Sequence, residues 1–231
     1  MAEIIYGIRP VVEALKSRRR RVSEVLDSTG SGEVSSAAGS VPIRKAQRSR
    51  VDELARGGVH QGVVARVESY PYSSLEEILA APQPLVLVLD GVTDPRNLGA
   101  VLRAADGAGA SGVVIPKDKA VGVTAAAVKA SAGASEHVRV ARVTNLRRAV
   151  DSLKAANVWI YAAEAGGTDY AKLDLAGPTA FVLGSEGRGV RRLVREACDG
   201  TVSVPMLGAV SSLNVSVAAA VLAYEARRQR G

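Results

Sequence analysis

Three short segments hold the residue types with the most chemical capacity. The first is Ser211-Ser212-Leu213-Asn214, which follows Val202-Ser203-Val204-Pro205-Met206-Leu207-Gly208 and opens a long apolar stretch from Val215. Hydroxyls and a carboxamide at a helix start can cap it, and the unpaired N–H groups of its first turn can hold a ligand; both uses suit these residues. The second is Leu183-Gly184-Ser185-Glu186-Gly187-Arg188-Gly189, where three glycines let a ligand approach the backbone and Glu186 supplies one carboxylate. The third runs from Asp90-Gly91 through Thr93-Asp94-Pro95-Arg96-Asn97-Leu98-Gly99 to Arg103. A turn at Asp94-Pro95 and Asn97 as an N-cap account for most of it. Arg103 lies off the apolar stripe of Leu98, Val101 and Leu102, where a guanidinium can reach a phosphate or a developing anion.

The elements that must position these residues show in the alternation downstream of residue 85. Apolar strands are expected over 85–89, 113–115, 138–140, 158–161, 180–183 and 202–204, with Ala-rich helical stretches between them. That order predicts an α/β domain, a mostly parallel sheet with helices on both faces. In such a sheet ligands sit beyond the carboxyl ends of the strands, and each of the three segments follows a strand.

Other chemistries are excluded or weak. Gly107-Ala108-Gly109-Ala110-Ser111-Gly112 matches G-x-G-x-x-G, but it closes a helix and enters a strand, the reverse of the dinucleotide fingerprint. There is no phosphate-loop motif. One cysteine, Cys198, and two separated histidines, His60 and His137, make neither a disulfide framework nor a metal constellation. Cys198 reads as a buried thiol, and Trp159 and Phe181 as core strand residues. The start of the chain has no apolar signal core, and the run 215–224 is too short to span a bilayer, so a cytoplasmic protein is expected. A net charge of +7 points to a polyanionic partner.

The first 60 residues carry 11 Lys/Arg against 7 Asp/Glu and read as a separate small α+β unit. A short amphipathic helix follows Pro10, and Arg18-Arg19-Arg20-Arg21 falls at its end, either as a solvated helix terminus or as a phosphate-contacting edge. Residues 28–40 are Gly/Ser-rich and read as a flexible loop. Residues 63–67 form a strand after Gly62. The stretch 70–84, with three prolines and an acidic helical piece at 75–79, is the linker candidate.

Taken together, Asn97-x-Gly99-x-x-x-Arg103, the segment 183–189, and Val204-Pro205-Met206 with Ser211-Ser212-Leu213-Asn214-Val215-Ser216 resemble the three motifs of the SpoU branch of the SPOUT superfamily, ribose 2'-O-methyltransferases of RNA that use S-adenosylmethionine. The resemblance extends from 85 to 230. Ile4-Ile5-Tyr6-Gly7 and His60-Gln61-Gly62 resemble the N-terminal domain of the enzymes that modify a guanosine of 23S ribosomal RNA. It implies an RNA-binding domain over 1–68, L30e-like but shortened around 28–42, a linker over 69–83, and a methyltransferase domain over 84–231 with a C-terminal trefoil knot, a connection that periodicity alone does not reveal.

The same resemblance implies that Arg103, Asn97, Glu186, Ser212 and Asn214 form the catalytic group. Gly184, Val204, Met206 and Leu213 would meet the cofactor, with Thr144 and Asn145 nearby, while Arg9 and Arg18, Arg19, Arg20 and Arg21 would contact RNA. It also implies a homodimer and no metal. Because a guanidinium holds its proton in proteins, with a pKa above about 12, Arg103 is expected to stabilise oxyanion charge rather than act as base. Two alternatives stand beside this reading: a family member acting on transfer RNA or another ribosomal site, and a catalytically silent RNA-binding or ribosome-assembly protein.

Overall fold

The computed structural model describes residues 2–185 and 187–231, in two sheets. The smaller holds β1 (Ala2–Tyr6), β2 (Val22–Asp27), β3 (Ile43–Lys45) and β4 (Val63–Glu68) in the order β1-β4-β2-β3. Helices α1 (Ile8–Ser17), α2 (Gly32–Ala38) and α3 (Arg48–Ala55) accompany it. After α4 (Leu75–Leu79) comes the larger unit: β5 (Leu85–Asp90), α5 (Pro95–Gly107), β6 (Gly112–Pro116), α6 (Ala125–Ala130), β7 (Val140–Val143), α7 (Leu146–Ala155), β8 (Trp159–Asp169), β9 (Thr179–Gly184), α8 (Arg192–Arg195), β10 (Gly200–Ser203) and α9 (Val215–Arg230).

The larger sheet has the order β10-β8-β9-β5-β6-β7, and every pairing in it is parallel. Strand β5 is buried on both faces, which is why it reads as the unbroken apolar run Leu-Val-Leu-Val-Leu. Leu85, Leu87 and Leu89 join the core that α5 and α9 cover, whereas Val86 and Val88 join Val150 and Leu153 of α7 on the other side. All these strands point the same way, so the loops that follow them gather along one edge.

Local chemistry departs from the sequence expectation at several points. Residues 28–40 are not a flexible loop: they contain α2, whose N-cap Ser31 accepts from the Val34 N–H and whose Val34 and Ala38 are buried. Asp27 organises its entry, accepting from the N–H groups of Thr29 and Ser31 at 2.7 Å and of Gly30 at 3.0 Å. Burial pushes the Asp27 carboxyl upward, but these hydrogen bonds outweigh it and hold the group below its ordinary value. Asn97 does not cap α5. Asp94 does, accepting from the Arg96 N–H at 2.8 Å with Pro95 behind it, and Asn97 sits inside the first turn. Phe181 is buried as expected, but Trp159, at the start of β8, is 60% exposed.

The stretch joining the two units is docked rather than free. Ser73 bridges to Ala141 beside β7, and the buried Tyr70 hydroxyl donates to Ser135 O at 2.8 Å. Burial pushes the Tyr70 phenol well above its ordinary value. Arg19 and Arg20 lie over the Tyr70 ring at 5.4 and 5.6 Å. Arg20 is buried and grips Glu136 with two contacts, Nε to Oε2 at 3.1 Å and Nη2 to Oε1 at 2.5 Å. Arg19 donates to Val138 O and to Ser73 Oγ. The arginine run therefore splits: Arg19 and Arg20 fasten the two units together, and only Arg18 and Arg21 are exposed. Arg20 is buried and Arg19 half-buried, and both spend their donors on protein acceptors of the larger unit.

Removing one member of a buried ion pair strands the other charge. Glu136→Ala is expected to lower the unfolding free energy by about 3 kcal/mol or more, measured by chemical denaturation, with Glu136→Gln less damaging because it retains a hydrogen-bond acceptor.

Candidate active site at the carboxyl edge of the sheet

The three chemically rich segments meet at the edge defined by the strand ends. Asn214 is the N-cap of α9: its Oδ1 accepts from Ser216 N at 2.9 Å and from Ser216 Oγ at 2.6 Å. Its Nδ2 donates to Asn97 Oδ1 at 3.0 Å. One carboxamide thus caps a helix with its oxygen and joins another helix with its nitrogen. Capping α9 and tying it to α5 are both done by Asn214, because an amide carries a donor and an acceptor that can serve different partners.

The segment after β9 is held beside the same place. Asp90 and Gly184 are paired in register across β5 and β9. The buried Asp90 carboxylate accepts from Arg191 N at 2.8 Å and pairs with Arg191 Nε at 2.6 Å, closing the loop between them. Ser185 and Gly189 bridge back on one another, and Gly187 and Gly189 adopt left-handed conformations. A Cβ on Gly184 would lie 2.0 Å from the Gly189 carbonyl carbon. Gly184 is glycine because the returning backbone passes against it. Gly99 has a similar reason: a Cβ there would stand 2.5 Å from Ala127 O and 2.5 Å from Ala130 Cβ, so its absence lets α6 pack on α5. Arg103 is exposed on α5 and makes no hydrogen bond or ion pair among the described residues. Glu186 lies outside the described residues.

Next to the Asn97–Asn214 contact is a cavity of roughly 130 Å³, lined by Val204, Met206, Ser211, Ser212 and Leu213 from the segment before α9 and by Ala218 and Leu222 of α9 itself. Its remaining wall comes from a segment that none of the three motifs contains. Pairing of β10 with β8 jumps from Thr201↔Ala162 to Val202↔Thr168, so residues 163–167 bow out of the sheet. Ala163, Glu164 and Ala165 of this bow face the cavity along with Val202 and Ser203. The signal that could have found them is Gly166-Gly167 just past an apolar strand. A Cβ on Gly167 would come within 2.9 Å of the Val202 carbonyl carbon.

The structure brings together Asn97, Ser212 and Asn214, and it brings Val204, Met206 and Leu213 to one cavity. It does not bring Thr144 and Asn145 there. They follow β7, at the opposite edge of the sheet from β10, and Asn145 caps α7 by accepting from Arg148 N at 3.1 Å. Arg9 is exposed and paired with Glu33 at 3.3 Å. Among the described residues no group of three or more His, Cys, Asp or Glu is placed to hold a metal ion, and no helix is long and apolar enough to cross a membrane.

The fold is shared with solved methyltransferases. The SpoU methyltransferase AviRb from Streptomyces viridochromogenes, in complex with the cofactor AdoMet, superimposes with a TM-score of 0.85 at 28% identity, covering 98% of this chain and 89% of that one. The chain belongs to the SpoU rRNA methylase family, whose model matches residues 84–224. A second model, RNA 2'-O ribose methyltransferase substrate binding, matches residues 4–73. The 23S rRNA (guanosine-2'-O-)-methyltransferase RlmB of Yersinia pestis is 45% identical over 244 residues, spanning 100% of this chain and 99% of the relative. The RlmB of Escherichia coli K12 is 44% identical over 243 residues, with 100% of both chains covered.

Two outcomes follow from this geometry. Gly184→Ala is expected to destabilise the fold by about 3 kcal/mol, since its methyl meets backbone that cannot move aside cheaply; thermal unfolding of the variant checks this. Burial, assisted by the nearby Asp199, pushes the Cys198 thiol up to about 11. At pH 8 the thiolate is then scarce, and Cys198 should react with a disulfide reagent at least about tenfold more slowly in the native protein than in denaturant.

Proposed function

We propose that this protein transfers a methyl group from S-adenosylmethionine to a ribose 2'-hydroxyl of RNA, and that the RNA is 23S ribosomal RNA methylated at a guanosine. The observation that carries the reading is the Asn97–Asn214 hydrogen bond at 3.0 Å beside a cavity whose walls come from the segment before α9. The full-length relatives named above support the substrate.

The cavity suits the cofactor chemically. Val202, Val204, Met206, Leu213 and Leu222 offer apolar surface for a flat heterocycle, and Ser203, Ser211 and Ser212 offer polar groups beside it. S-adenosylmethionine supplies, when bound, an electrophilic methyl on a sulfonium. Val204, Met206 and Leu213 would hold it, while Gly184 acts indirectly by letting the neighbouring loop close.

The chain's own task is to present the ribose oxygen and manage its proton. Arg103 stabilises negative charge developing on that oxygen and draws in an adjacent phosphate. Asn97, Ser212 and Asn214 fix the ribose, and Glu186 completes the group. Fixing the attacking oxygen in line is itself a large contribution, since well-oriented groups gain effective molarities of about 10⁵ M or more. On this reading α9 is the threaded element of a trefoil knot, consistent with its packing on α5, β9 and β5. The domain limits are 1–68 and 84–231. The protein works in the cytoplasm as a homodimer, for which the exposed apolar side chains Leu207, Val210, Val217 and Tyr224 provide surface.

Isothermal titration with S-adenosylmethionine should show saturable binding; its absence would remove the methyltransferase reading. In single-turnover assays with saturating RNA, Arg103→Lys is expected to slow methyl transfer by about 10²-fold, because an ammonium cannot reproduce a fork of donors. Near-normal chemistry in that variant would exclude a specific guanidinium role. Mass-spectrometric mapping of 2'-O-methylated nucleotides in a deletion strain should show one guanosine of 23S ribosomal RNA unmodified, and loss at a transfer-RNA position instead would reassign the substrate.

A further inference from the structure

We infer that the loop after β6, through Lys117 and Lys119, is a second RNA-contacting surface that grips backbone phosphates flanking the target nucleotide. The inference rests on the RNA reading above and adds a place for the strand outside the catalytic group and outside the N-terminal unit. Strand β6 lies beside β5 in parallel register, Val86↔Gly112 to Val88↔Val114, so the loop it feeds emerges on the same edge as Asn97 and Arg103. Lys117, Asp118 and Lys119 are all exposed there. Neither lysine has an ion pair among the described residues, unlike Lys154, whose Nζ stands 2.8 Å from Asp199 Oδ1.

This loop is stitched in place by its backbone. Val121 N donates to Val92 O of the β5 loop at 3.0 Å, and Lys117 N donates to Val143 O of β7 at 2.7 Å. Arg142, also exposed and lying over the Tyr72 ring at 5.6 Å, donates to Lys117 O at 3.0 Å. Lys119 is held in the left-handed region at φ 57. Main-chain groups thus hold the loop, leaving both ammonium groups for a partner. With Arg96 and Arg103 exposed on α5, the edge presents two cations on this loop and two on the neighbouring helix, against the exposed carboxylates of Asp94 and Asp118. Asp94 is already engaged with the Arg96 N–H. A rigid row of cations beside a site that must hold one nucleotide fits an extended polyphosphate backbone, whose contacts position the strand without reading its sequence.

The test uses the full-length protein and an unmodified 23S ribosomal RNA transcript. Lys117→Gln/Lys119→Gln removes both charges at nearly constant shape. RNA affinity is measured across a salt series, together with S-adenosylmethionine binding and the single-turnover rate at saturating RNA. The expected result is a slope of log Kd against log salt reduced by about 1.4 and affinity lowered roughly tenfold near physiological salt, with cofactor affinity and saturated rate unchanged. An unaltered slope and affinity in a wild type that binds and methylates the transcript would overturn the inference alone. A wild type that neither binds nor methylates it would overturn the RNA assignment and this inference with it. The charge-reversed Lys117→Glu/Lys119→Glu should weaken binding further; equal affinity in both variants would also contradict phosphate contact.

Discussion

One hydrogen bond joins two carboxamides 117 residues apart, Asn97 in the first turn of α5 and Asn214 at the cap of α9. Neither end is free to choose its position. Asn97 is placed by Asp94 and Pro95, which start α5, and by Gly99, which lets α6 press on that helix. Asn214 is placed by capping, because its oxygen is committed to Ser216. The contact therefore measures whether the parallel sheet has delivered its strand ends in register. The loop after β9, clasped by Asp90 and Arg191, lies between them in the sheet order. Side chains from three separate segments are thus held by backbone and helix caps, an arrangement that suits a reaction depending on alignment.

The small unit at the start of the chain is fastened to this site rather than strung from it. Arg20 and Glu136 are buried together, Tyr70 bridges the joint, and the Lys129 Nζ on α6 lies 2.6 Å from Gln61 Oε1. Burial draws the Lys129 ammonium below its ordinary value. Because α6 also supports α5 through Gly99, the surface that would meet RNA and the helix carrying Arg103 share one support. Gly7 and Gln61 take part in this joint: a Cβ on Gly7 would lie 2.5 Å from Lys129 Nζ and 3.3 Å from Gln61 Oε1.

Much of this is legible in the sequence. Alternating apolar strands and helical stretches announced the parallel sheet, and parallel sheets place their loops along one edge, so three motifs following three strands had to converge. What was hidden depended on distant partners. Nothing in Arg18-Arg19-Arg20-Arg21 says that its third member meets a glutamate 116 residues on. Asp94-Pro95 fits a turn as well as a helix start, so the sequence favours Asn97 as the cap; the aspartate two residues before Arg96 is the acceptor that α5 uses. The Gly/Ser stretch at 28–40 hid a helix because Asp27 and Ser31 start it, and Val34 and Ala38 find a core that composition does not reveal. The bow at 163–167 arises from a jump in strand pairing, which no local pattern encodes. Thr144 and Asn145, expected near the cofactor, follow β7, at the opposite edge of the sheet from β10, a separation that strand order sets and local sequence does not show.

The most direct measurement is a double-mutant cycle on Asn97→Ala and Asn214→Ala, read out as the single-turnover methyl-transfer rate with saturating RNA and cofactor. If the contact between the two amides organises the site, the double variant should be little worse than either single one, a coupling energy of about 1 kcal/mol or more. Rate losses that simply add would contradict the account, and would leave Asn214 as no more than the cap of its helix.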